Sequence, residues 1–102
     1  MKIVAYVPDL MDRSRFAGLD ADVTFVRQTS DFADASEGAD IAIADLGRPG
    51  ALDAVAVLDV PRKMGFVNHE NREVFEAAAA LGVEVMARSR FLTRIEQIVR
   101  KD

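Results

Sequence analysis

The sequence predicts an α/β fold with a doubly wound, five-stranded parallel sheet in the order 2-1-3-4-5 and helices on both faces. Three observations carry that prediction. Apolar, β-branched runs alternate with helical patterns from end to end, which calls for βαβ crossovers and parallel neighbours. Most of the strand segments are apolar on both sides, as a sheet buried on both faces requires. Half of the 102 residues are hydrophobic and 29% are charged, which supplies one core and leaves no room for a second, so residues 1–102 are expected to form a single domain.

Residues 2–7, KIVAYV, open the chain as a strand that Pro8 stops. Asp9 is placed to cap a helix over DLMDRSRFAGLD, where Leu10, Met11, Phe16 and Leu19 recur at helical intervals and Gly18 stands near the end. DVTFVR (22–27) alternates and carries Val, Thr and Phe, so it reads as the second strand. TSDFADASEGA opens on polar capping residues and closes at Gly38 as a short helix. DIAIADL is the third strand. GALDAVAVLDV follows as a helix with Leu52, Val55, Ala56 and Leu58 apolar, ended by Pro61. KMGFVN (63–68) is the fourth strand. HENREVFEAAAALG has the clearest helical period, with Val74, Phe75, Ala78 and Leu81 on one side and Gly82 as its stop. VEVMA (83–87) is the fifth strand, and RFLTRIEQIVRKD closes the chain with Phe91, Leu92, Ile95, Ile98 and Val99 on one helical face.

Composition removes several function classes. With zero cysteines there are no disulfides, thiolate metal sites or cysteine nucleophiles. A lone histidine, His69, cannot build a multi-histidine metal site. The N-terminal MKIVAYVPDLMDR has an apolar run of only five residues before Pro8 and Asp9. It reads as neither signal peptide nor membrane span, and a cytoplasmic location without membrane partners is expected. Net charge is −4; residues 1–60 hold five basic and eleven acidic side chains, and residues 61–102 hold eight and six. An acidic total argues against direct nucleic-acid binding, because backbone contact needs a basic face. The locally basic ARSRFLTRIEQIVRK reads as a solvated helix face with cations near its C-terminus.

Ligands of such sheets sit outside the carboxyl ends of the strands. That rule puts Asp9 after the first strand, Asp45 at the end of the third, Asn68 and His69 after the fourth and Arg88 after the fifth. Asp45 answers two descriptions: a cap for the turn-rich DLGRPG, or a carboxylate able to take a phosphoryl group. Asn68 suits a helix N-cap, and His69 is a solvated first-turn residue or a member of a site. Arg88 is an exposed charge or a guanidinium partner for Asp45. The loop PDLMDRSR has no glycine before Gly18, so it forms no Rossmann or P-loop phosphate cradle. With no Ser-His-Asp constellation in view, the chain does not read as an enzyme.

DIAIADLGRPG resembles the third strand and phosphoacceptor loop of the response-regulator receiver domain, the CheY-like, flavodoxin-like module of two-component phosphorelay signalling. In that frame Pro49 and Gly50 stand at the fourth position after Asp45 and beyond. NREVFEAAAALGVEVMARSRF resembles the receiver's fourth helix, fifth strand and Lys-Pro-Phe segment. The resemblance implies Asp45 as phosphoacceptor. It also implies an acid pair for Mg²⁺ after the first strand, where this chain has Val7 and Pro8, with Asp9 beside them. The receiver's hydroxyl residue stands as Asn68, or as Val67 if the gap falls differently, its lysine as Arg88 and its proline as Ser89. Asp9 and Asp45 alone would hold Mg²⁺ weakly, since the ion favours several oxygen ligands in octahedral array. The implied class is therefore an atypical or pseudo-receiver that needs no cofactor beyond weak Mg²⁺. It would signal by protein–protein contact through the fourth helix, fifth strand and fifth helix. Glu73, Glu76, Glu84, Arg90, Arg94 and Glu96 would line that face, and a homodimer is one form of such contact. The alternatives are a working receiver phosphorylated at Asp45, or a small anionic-ligand binder using Arg88 and His69.

Overall fold

The computed structural model describes residues 1–100. Among them, five strands form one sheet in the order 2-1-3-4-5: β1 (Lys2–Tyr6), β2 (Asp22–Phe25), β3 (Ile41–Asp45), β4 (Arg62–Val67) and β5 (Glu84–Ala87). Every pairing is parallel. The connections carry α1 (Leu10–Ser14), a 3₁₀ turn (Thr29–Asp31) leading into α2 (Phe32–Ala35), α3 (Ala51–Ala56) and α4 (Arg72–Ala80). After β5 come α5 (Arg88–Thr93) and α6 (Ile95–Arg100).

Alternation along the strands splits the core in two. Ile3, Ala5 and Val7 join Ile41, Ile43, Met64 and Phe66 on the face covered by Phe16 after α1 and by Phe91, Leu92, Ile95 and Val99 of α5 and α6. Val4, Ala42, Ala44, Leu46 and Val67 face the other way, against Phe32 of α2, Val55 of α3 and Ala78 of α4. Right-handed crossovers on a sheet that grows outward from β1 in both directions give this division. Phe66 and Phe91 stack with ring centroids 5.2 Å apart, fixing α5 to the centre of the sheet.

Two glycines are required by geometry. Gly82 (φ +75°) ends α4 as a Schellman turn, with Val83 N–H donating to Ala78 O at 2.9 Å and Gly82 N–H to Ala79 O at 3.2 Å, so the chain passes at once into β5. Gly65 lies under Leu46: a Cβ there would stand 2.5 Å from Leu46 Cγ and 2.6 Å from the backbone O of Ala44.

Several boundaries differ from the sequence reading. α1 is five residues long and does not reach Gly18; Leu10 and Met11, part of the expected helical spread, are 75% and 78% exposed, while the buried residues of that segment are Asp12 and Phe16, with Leu19 packed against the Phe16 cluster. A five-residue helix has barely more than one turn, so the buried face passes to the residues that follow it. Asn68 is not the N-cap of α4. Asn71 is, accepting from Val74 N–H at 3.3 Å, while Asn68 Oδ1 accepts from Glu70 N–H at 2.9 Å in a turn that delays the helix. Leu81, counted with the buried side of that helix, lies half-exposed past its end. The last helix begins at Arg88 and breaks at Arg94 (φ −116°), although its apolar face runs through the break.

Candidate functional site

Asp45 closes β3 at the carboxyl edge, level with Phe66 of β4. Its Oδ1 accepts the N–H of Gly47 at 3.1 Å, and its Oδ2 meets Arg48 Nε at 3.4 Å. The carboxylate thus folds its own loop back on itself, the behaviour of an Asx turn, before Gly50 hands the chain to α3. Gly47 belongs to that turn: a Cβ in its place would lie 3.3 Å from Asp45 Oδ1.

Asp9 is engaged in the same local way. Its Oδ1 accepts from Met11 N–H at 2.8 Å and Asp12 N–H at 3.1 Å, which makes it the N-cap of α1. Neither Asp9 nor Asp45 has the other among its hydrogen-bond partners. Among the described residues, moreover, no three His, Cys, Asp or Glu side chains converge so as to hold a metal ion. Val7, at one of the two positions where the resemblance implies an acid, is fully buried, and its carbonyl accepts from Arg13 Nε at 2.7 Å. That guanidinium lies 5.3 Å from the ring centroid of Phe25, a cation–π contact that ties α1 to β2.

The expected Arg88–Asp45 pair is replaced by another. Arg88 binds Asp12 through both sides of its fork: Nε donates to Oδ2 at 3.2 Å, and Nη2 donates to Oδ1. The Asp12 side chain is 5% exposed and that of Arg88 49%. Asp12 is not among the residues the carboxyl-edge rule singles out, yet the sequence carries a signal for it. In a 2-1-3-4-5 sheet the first and last helices share a face, so an acid in the first turn of one and a cation at the start of the other become neighbours. Arg88 begins α5 one residue past Val67↔Ala87, the last matched pair of β4 and β5. A cleft of about 250 Å³ runs beside the ion pair, lined by Met11, Ser14, Arg15, Arg88, Ser89 and Thr93. Asn68 and His69 sit on the exposed turn after β4, and the Asn68 carbonyl oxygen is held by that turn.

The class these features define is a doubly wound α/β protein whose carboxyl-edge acids are bound by their own turns and by an interhelical arginine. No family model matches the chain, and no curated protein or solved structure matches it significantly. Among the described residues, no helix is long and apolar enough to cross a membrane.

Proposed function

We infer that this chain is an atypical, receiver-like signalling module that works by protein–protein contact and does not cycle through an aspartyl phosphate. One observation carries the reading: the groups a phosphoryl chemistry would need at the carboxyl edge already have structural partners. Asp45 holds Gly47 and Arg48, and Arg88 holds Asp12. Transfer to a carboxylate gathers negative charge that a metal or cation must offset in the transition state. Asp9, the remaining acid beside β1, is committed to the cap of α1.

The contact surface in this reading is α4, β5 and the last two helices, α5 and α6, which together are the fifth helix of the sequence reading. Glu73, Glu76, Glu84, Arg90, Arg94 and Glu96 are all exposed there. Between β5 and the last two helices lies a cleft of about 210 Å³ whose apolar side includes Met86 and Ile98 and whose cationic side includes Arg90 and Arg94. An apolar floor with a charged rim is the anatomy of a protein contact. A cytoplasmic setting belongs to the same proposal.

Incubation of the intact chain with a small phosphodonor and Mg²⁺, followed by mass measurement, tests it. The expected result is an unchanged mass. A labile adduct of one phosphoryl group, absent in Asp45→Ala, would establish a working receiver instead.

A further inference from the structure

The layer formed by α1, α5 and α6 carries an unbalanced charge. Three adjoining clefts, of about 210, 320 and 250 Å³, run along it from Met86 of β5 to Met11 of α1. Their charged linings are six arginines and three acids, with no lysine, a net of +3 on a chain whose total is −4. Each acid is already spent. Glu84 takes both sides of the Arg62 fork at 3.0 Å, Asp12 holds Arg88, and Glu96 holds Arg100 at 3.1 Å. Arg15, Arg90 and Arg94 are left over, all exposed and without an ion pair among the described residues.

Two of these free cations are set in register over an apolar floor. Arg94 N–H donates to Arg90 O at 3.1 Å, so the two stand one helical turn apart, about 6 Å along the axis. Met86 and Ile98 line the same cleft and are only partly buried against the core. Arg15 stands in the next cleft along and extends the same positive field. The acids of α4, Glu73 and Glu76, belong to the helix that packs on the other face of the sheet and do not line these clefts.

We propose that this face receives an acidic protein segment, two of whose carboxylates pair with Arg90 and Arg94 while an apolar side chain between them covers Met86 and Ile98. The inference rests on the protein-contact reading above and adds the chemistry of the partner. Only cations without a partner are used, so docking breaks none of the three existing pairs. A two-fold contact with a second copy is disfavoured, because it would set these arginines against their own equivalents. Nucleic acid is a poorer occupant. It carries a charge about every 1.7 Å, and its phosphates would fall on Glu84 and Glu96, which lie beside the free arginines. A discrete pair of carboxylates avoids both acids, and Arg and Met are the side chains that protein interfaces favour.

Fluorescence anisotropy of the full chain with a labelled peptide repeating Glu-Glu-Leu tests it, beside a counterpart repeating Gln-Gln-Leu and a single-stranded oligonucleotide of equal charge. The acidic peptide should bind saturably and more weakly as salt rises, and the glutamine peptide should not bind. The double variant Arg90→Gln/Arg94→Gln should bind about tenfold more weakly, the loss of two ion pairs at a partly desolvated contact. Glu73→Gln/Glu76→Gln, in the other layer, should not weaken binding, and unchanged urea midpoints show that both variants are folded. No saturable binding of the acidic peptide would overturn the proposal, as would equal binding of the glutamine peptide or undiminished binding by the arginine variant. Tighter binding of the oligonucleotide would make nucleic acid the occupant and overturn it too, and so would sedimentation showing that a second copy fills the face. Labelling of Asp45 by a phosphodonor reads the signalling chemistry separately, so either reading can fail without the other.

Discussion

Removing the two partners of the Asp12–Arg88 pair one at a time should have unequal effects. In Arg88→Ala the Asp12 carboxylate, 5% exposed, keeps its burial and loses its guanidinium. Breaking a buried pair from that side costs about 3–5 kcal/mol. The lower end, about 3 kcal/mol, applies because Arg88 is itself 49% exposed and its loss admits some water. In Asp12→Ala the stranded group is a guanidinium already half in solvent, which rehydrates in place, so the loss should be nearer the surface-pair range, about 1 kcal/mol. The double variant leaves no buried charge and should be more stable than Arg88→Ala alone. Equilibrium urea unfolding reads all three: with m of roughly 1–3 kcal/mol/M, the Arg88→Ala midpoint should fall by about 1 M or more. If Arg88→Ala is no worse than Asp12→Ala, or if the two losses simply add, the pair is not a buried clamp and the argument fails.

Gly65→Ala should destabilise by about 1–3 kcal/mol, since Leu46 can shift but the Ala44 carbonyl belongs to β3; an unchanged urea midpoint would show that the sheet yields there at no cost. Asp9→Ala removes the cap of α1 and should cost about 1 kcal/mol, with Asp9→Asn close to wild type. Asp45→Asn keeps an acceptor for Gly47 N–H and should melt within a degree or two of wild type, whereas Asp45→Ala should melt lower. Equal melting of the two would deny the turn role.

The architecture was legible because it depends on period and punctuation, which a single chain carries in full. β1 and β3 are apolar at every central position and so could only be strands covered on both faces, and Gly82 marks the end of α4 to within a residue. Side-chain pairing at the carboxyl edge was less legible. Topology places Asp45, Asn68 and Arg88 on neighbouring strands, but which acid a long arginine reaches depends on where α5 starts. The arginine opens that helix and lies over α1, so the nearer acid is Asp12. Leu10 and Met11 misled for a related reason. Their spacing fits an amphipathic helix, yet Asp9 fixes the start of α1 so that Asp12 faces inward and the two apolar side chains face out.

That arrangement bears on the choice between a structural and a phosphorylated Asp45. A phosphoryl group there would carry extra negative charge at the edge, and Arg88 is the cation that the receiver resemblance would assign to it. Recruiting Arg88 would strip Asp12 of its partner and recreate, in the wild-type chain, the stranded carboxylate of Arg88→Ala. The favourable phosphoryl–guanidinium contact would have to exceed about 3 kcal/mol before any net gain. Asp12→Ala reverses the balance by releasing Arg88. Labelling by a small phosphodonor with Mg²⁺ should therefore remain absent in the wild-type chain. If any variant of this edge acquires it, that variant should be Asp12→Ala; labelling of the wild type that Asp12→Ala does not increase would show that Arg88 was never the contested group.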